Sequence, residues 1–124
     1  MFARGILPSR GWDETIRSTA NDLLKYISAN LGLVKSTLAP LMEKTHVIRN
    51  KGTATHGDTA MAWVNRGEGY QSGMKLLGHA GATGGYETFI GFDKEQRRGV
   101  VVLCNQQGGL SPETLGWLCS KACD

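Results

Sequence analysis

The sequence predicts an α+β fold, with a small antiparallel sheet of three to four strands packed against N-terminal and C-terminal helices. Three observations predict it. Apolar residues recur at helical spacing across residues 19–31. Residues 86–105 hold two strand-like segments joined by one short turn. A strong helix start stands at Ser111. Short turns between successive strands imply antiparallel pairing, and helices on either side of such a sheet bury its apolar faces.

The first helix is expected over Thr19–Asn30. Thr19 and Asp22 form a capping-box-like pair, and Ala20, Leu23, Leu24, Ile27 and Leu31 follow the helical period. Gly32 stands just past the end, where a left-handed cap favours a residue without Cβ. Tyr26 lies off this stripe and reads as a partly packed rim aromatic. A shorter helix is expected over Ser36–Thr45, with Leu38, Leu41 and Met42 as its buried face and Pro40 in its first turn. Residues 46–60 are polar and rich in breakers, and read as a loop with a short strand at "HVIR". "MAWV" (61–64) reads as a strand, "NRGEGYQSG" (65–73) as a glycine-rich turn, and Lys75–His79 as the start of the next strand.

Tyr86, Thr88, Ile90 and Phe92 alternate with Glu87, Phe89 and Gly91, the two-residue period of a strand. "DKEQRRG" is a turn. "VVVLCN" (100–105) is an unbroken apolar run, which suggests a strand covered on both faces. Ser111, Pro112 and Glu113 then supply a cap, a first-turn proline and a dipole-matched acid. Leu110 and Leu115 are placed as a hydrophobic staple, and Leu115, Leu118, Cys119 and Ala122 as the apolar stripe of a final helix.

The bulk numbers exclude several functions. A chain of 124 residues suits one domain. Its net charge is +3 and its basic residues are scattered, so the clustered footprint of a nucleic-acid binder is missing. No apolar run approaches the ~18 residues of a membrane span, and "MFARGILPSRGWDE" lacks the apolar core of a signal peptide. The expectation is therefore a cytoplasmic protein with no nucleic-acid and no membrane partner. Three cysteines, an odd number, fit a reducing compartment and read as one or two buried thiols. His46, His56 and His79 are spread without ligand spacing, so neither a metal nor another cofactor is expected.

The stretch "GHAGATGG" (78–85) is no phosphate loop, since no Gly-Lys-[Ser/Thr] ends it and no helix follows. Two physical readings remain. Its glycines allow a ligand or another backbone to approach a strand closely, or they make a bulge and a tight turn.

Here the sequence resembles a known family. "GHAGATGGYETFIGFDKEQRRGVVVLCNQQGG" is similar to the C-terminal strands of the serine β-lactamase and penicillin-binding-protein superfamily. The nearest branch is that of class C β-lactamases, DD-peptidases and related esterases. "STANDLLKYISANLG" is similar to the helix that precedes those strands. The resemblance covers residues 17–122, so residues 1–17 read as a lead-in and 18–124 as one β-lactamase-like C-terminal portion. It implies a partial β-lactamase/transpeptidase-like fold. His79, Ala80 and Gly81 would correspond to the family's Lys-Thr-Gly or His-x-Gly motif, which lines the acyl-binding cleft. His79 would meet a substrate carboxylate, while Gly81, with Gly84 and Gly85, would leave room for an acyl ligand.

The family's nucleophile is a Ser-x-x-Lys at the start of a buried helix, and a Tyr-x-Asn element supplies the second proton-transfer group. Both lie upstream of the matching helix, where this chain has almost nothing. A truncated chain without hydrolase activity of its own is therefore expected. Ser72-Gly-Met-Lys75 fits Ser-x-x-Lys literally, but Gly73 argues against a helix there, so Ser72 and Lys75 are weak candidates. In family members the N-terminal strand pairs beside the "GVVVL" strand. Without it, Val100, Val101 and Val102 would present an unpaired apolar edge, and a homodimer through that edge is the expected partner. Two alternatives stand beside this reading: a working serine hydrolase on amide or ester bonds, and a non-enzymatic interaction module that reuses the fold.

Overall fold

A computed structural model describes residues 17–53, 57–66 and 76–122. The element order is α1 (Ala20–Asn30), α2 (Ala39–Thr45), β1 (Asp58–Thr59), β2 (Val64–Arg66), β3 (Leu76–Thr83), β4 (Tyr86–Asp93), β5 (Arg98–Cys104) and α3 (Pro112–Lys121). The strands form one antiparallel meander in the order β1-β2-β3-β4-β5. Five strands thus stand where three to four were expected. The unexpected one is β1, only two residues long and too short to leave a period in the sequence; β2 overlaps the expected "MAWV" strand only at Val64.

The helix ends follow their sequence signals. Thr19 caps α1, its hydroxyl oxygen accepting from the Asp22 amide at 3.2 Å. At the other end Gly32 has φ +69, Leu33 N–H donates to Ser28 C=O and Gly32 N–H donates to Ala29 C=O. That pair of bonds is a Schellman motif, which satisfies carbonyls the helix leaves free. Ser111 caps α3 by accepting from the Thr114 amide at 3.2 Å. Between β4 and β5, the Asp93 carboxylate accepts from the amides of Glu95 and Gln96, and Arg97 takes φ +55. An aspartate that ties its own following backbone makes such a turn.

Register sorts the side chains onto two faces. Leu77, Phe92 and Gly99 lie in one row, His79, Ile90 and Val101 in the next, and Gly81, Thr88 and Leu103 in the third. α1 covers the first of these rows. A Cβ on Gly99 would lie 2.2 Å from Ile27 Cγ2, so the side chain of α1 fills the space this glycine leaves. Ile27, Trp63 and Phe92 form the core cluster, with Leu31, Leu77, Ile90 and Val101 packed around it. Phe92 is fully buried and meets Trp63 edge to face at 5.0 Å; burying a Phe contributes roughly 1.5–3 kcal/mol. On the opposite face Phe89 lies among Gly78, Gly91 and Gly116, where a Cβ on any of the three would come within 2.8 Å of its ring. Gly116 belongs to α3, so these absent side chains let α3 sit directly on the sheet.

One buried polar group ties this core together. His46, the C-cap of α2, is buried between Trp63 and Phe92. Its Nε2 is 2.8 Å from Asn30 Oδ1. Asn30 is also buried, and its amide nitrogen donates to Tyr26 C=O. Asn30 Oδ1 is thus an acceptor, and His46 Nε2 carries the proton. Its Nδ1 then accepts from the Lys94 ammonium at 3.4 Å, and Lys94 is ion-paired with Glu43. Burial and the Lys94 charge push the His46 pKa below its ordinary value, against the weaker pull of Glu43. Lys94 holds the Glu43 carboxyl below the usual range.

Several expected elements are displaced. α2 begins at Ala39, not Ser36, and buries no residue: Leu38 is 53% and Leu41 58% exposed, with Met42 half-buried. Its inner face is set instead by Thr45 and His46, which bond Trp63 and Asn30. "HVIR" forms no strand; the nearest pairing is a single bridge between Asn50 and Thr59. "MAWV" is mostly a turn. Ala62 has φ +62 and Ala60 N–H donates to Trp63 C=O, so β2 starts only at Val64. β5 is approached by α1 and α3 from its two faces, but Leu103 remains 47% exposed. The expected stripe and staple of the last helix are rotated out. Leu110, Leu118 and Cys119 are exposed, while Pro112 and Gly116 are buried. Neither described cysteine is fully buried, since Cys104 is half-buried. Cys123 lies outside the described residues.

Two outcomes test this packing. Gly99→Ala should cost about 1–3 kcal/mol in urea unfolding by crowding Ile27. Combined with Ile27→Ala, the loss should be clearly less than the sum of the two single losses; strict additivity would mean Ile27 does not occupy the Gly99 space. The second outcome concerns pH. Below the ordinary histidine value of ~6.5 the unfolded chain binds a proton that native His46 refuses, so stability falls as pH drops from there toward the lowered native value. Glu43 acts in the same direction at lower pH, weakly because it is largely exposed. Thermal midpoints should therefore fall between pH 7 and pH 5. His46→Gln should be less stable at neutral pH and show a flatter profile.

Candidate ligand-binding site

β3 and β4 form a hairpin whose outer half is bare. The two strands pair from Leu77↔Phe92 to Thr83↔Tyr86. Gly84 (φ +55) and Gly85 (φ +86) close it as a two-residue turn. Both central residues have positive φ, the geometry that matches strand twist and that glycine adopts without strain. No atom lies within 4 Å of a Cβ built on either glycine, so it is their positive φ, not crowding, that favours glycine here.

β2 accompanies β3 only as far as Val64↔Gly78. There the chain turns away through Ala62, whose left-handed conformation breaks the strand. From His79 to Thr83, β3 therefore has β4 on one side and, among the described residues, no strand on the other. Among the described residues those backbone groups form a free edge, of the kind another extended chain can join.

His79 and Gly81 point to the face that carries α1, but beyond the rows α1 covers. His79 is exposed, stands opposite Ile90, and has no hydrogen-bond partner among the described residues. Gly81 stands opposite Thr88, whose hydroxyl donates to Gly81 C=O at 3.4 Å. A Cβ on Gly81 would meet that hydroxyl at 3.2 Å and otherwise open space. Ala80 alternates to the α3 face, opposite Phe89. Thr88, Tyr86 and Leu103 complete the bare end of the α1 face, with Tyr86 and Leu103 exposed. The arrangement can do three things chemically. It offers ladder bonds to an extended ligand, removes bulk at Gly81, and presents one imidazole that can meet an anion.

The structure thus groups His79, Ala80, Gly81, Gly84 and Gly85 on one hairpin, with His79 and Gly81 on one face. Ser72, Lys75 and His56 lie outside the described residues. Among the described residues no group of three or more His, Cys, Asp or Glu could hold a metal. None of the described helices is long and apolar enough to cross a membrane. Sequence patterning does not single out His46 and Asn30. Their partners are 16 and 48 residues apart in the chain, a distance that local spacing cannot signal.

No curated protein matches the chain. A family model described as Beta-lactamase matches residues 3–118, which takes in most of the lead-in as well as the helices and the sheet. The chain belongs to the β-lactamase family.

Proposed function

We propose that this chain is a β-lactamase-like unit that binds an extended acyl or carboxylate ligand along the outer half of β3, does not hydrolyse it alone, and self-associates through β5. The free β3 edge beside His79 and Gly81 carries the reading for the ligand. An extended ligand gains main-chain bonds there, and its carboxylate lies within reach of the His79 imidazole.

The reading of hydrolytic silence rests on the sequence. The only Ser-x-x-Lys is Ser72-Gly-Met-Lys75, with a glycine inside it, whereas a serine nucleophile needs a base positioned on its hydroxyl. Four of the described serines, Ser28, Ser36, Ser111 and Ser120, use their hydroxyls on local backbone and cap contacts, and Ser18 is exposed ahead of α1. The second reading, a working serine hydrolase built on Ser72, is separated from the first by mass. Incubated with a penicillin and with a fluorophosphonate, the folded chain should keep its intact mass. A one-to-one adduct that maps to Ser72 and disappears in Ser72→Ala would sink the proposal.

Support for self-association comes from the outer side of β5. Among the described residues β5 pairs only with β4. Residues 99–104 carry no charge and no proline to deter pairing, and a two-fold pairing of identical strands is the commonest closed solution. Sedimentation should give a dimer in the micromolar range, and Leu103→Lys, which puts a charge on this edge, should give a monomer. A parent chain that stays monomeric throughout that range rules out the β5 contact.

A further inference from the structure

The α1–α2 corner turns apolar side chains outward. Leu33, Val34, Leu38, Leu41, Val47 and Met61 are each about half exposed. Leu38 and Leu41 stand three residues apart and so share one flank of the corner, while Glu43 is drawn to the other flank by Lys94. Met61 joins the same end, its amide donating to Thr45 C=O at 3.2 Å. Single exposed leucines need no explanation. Six large apolar side chains on and beside one seven-residue helix go beyond scattered exposure and supply the material of an interaction surface.

The charge around this patch has one sign. Lys35, Lys44 and Arg49 are exposed and have no ion-pair partner among the described residues. The acids of the same region are already engaged, Asp22 by Lys25, Glu43 by Lys94 and Asp58 by Lys51. A two-fold contact between copies would bring these free cations together, which disfavours a second copy as the occupant. Apolar side chains that project outward, rimmed by free cations, suit a flat anionic surface.

We propose that the α1–α2 corner docks on a bilayer that contains anionic lipid. Leu33, Val34, Leu38 and Leu41 would enter the boundary between headgroups and acyl chains. Lys35, Lys44 and Arg49 would meet the lipid phosphates. This contact is peripheral, which the lack of a spanning segment does not bear on. It is independent of the ligand edge on β3 and of pairing at β5.

Vesicle co-sedimentation of the full chain tests the proposal. The chain should pellet with vesicles of mixed phosphatidylcholine and phosphatidylglycerol, remain in solution with phosphatidylcholine alone, and release as salt is raised. Leu38→Glu/Leu41→Glu should abolish pelleting with an unchanged far-ultraviolet spectrum, since both side chains are exposed. Lys35→Glu/Lys44→Glu, which leaves the apolar patch intact, should weaken partitioning about tenfold or more. The proposal is overturned if the parent stays in solution with both vesicle types, or if either variant pellets as the parent does. It is also overturned if Leu38→Glu/Leu41→Glu changes the oligomeric state of a chain that binds no vesicle, because the patch is then a protein contact.

Discussion

The seating of Ile27 over Gly99 is the contact on which the rest of the fold depends. A helix can lie on a sheet at full contact only where the sheet leaves room, and Gly99 leaves it in the edge strand directly beneath α1. The same device works on the other face, where Gly78, Gly91 and Gly116 admit the Phe89 ring and bring α3 down onto it. Two helices are thereby fixed over one end of the β3–β4–β5 meander. The other end, from the row of Gly81, Thr88 and Leu103 to the glycine turn, is left bare. The open site is thus a consequence of where the helices are allowed to sit.

A small core needs more than apolar contact to set the angle between its helices. Here His46 and Asn30 supply direction. Each is buried, and each has its polar atoms met by named partners from α1 and from the β4–β5 turn. A satisfied buried network costs little and rejects alternative packings, whereas a half-satisfied one would be worse than none. The neutral state of His46 is part of that satisfaction, because Nδ1 can accept from Lys94 only without a proton. Fold stability and protonation are therefore coupled at the point where α1, α2 and the sheet meet.

The parts legible in the sequence are those whose signals are local. α1 carries its cap at Thr19 and its Schellman glycine at Gly32. β4 carries a clean two-residue period, and α3 carries Ser111 and Pro112. The parts not legible are decided by distant partners. α2 has apolar residues at helical spacing, yet the protein faces them outward because His46 and Thr45 are held by Asn30 and Trp63. β2 owes its existence to the edge that β3 offers it, and β1 to the edge that β2 offers in turn. For the candidate site, the sequence placed His79 and Gly81 beside each other. Only the strand register, in which β2 pairs with β3 no further than Gly78, leaves the neighbouring edge without a strand among the described residues. Gly84 and Gly85 proved to serve the turn by their backbone angles.

Among the described residues the sheet has two open edges, and their chemistry differs. The outer half of β3 reads His79-Ala80-Gly81-Ala82-Thr83, small and polar, with little apolar surface to hide. A partner there would gain ladder bonds and one imidazole but scant burial, which fits a small extended ligand that comes and goes. β5 reads Gly99-Val100-Val101-Val102-Leu103-Cys104, apolar and uncharged, with Leu103 already exposed. A partner there would gain burial along with ladder bonds, which fits a permanent protein contact. Covering β5 would also shield the strand on which α1 is seated, since β5 carries Gly99. Assembly and fold stability would then be linked through one strand, while a ligand proposed for the outer half of β3, separated from it by β4, would exchange independently.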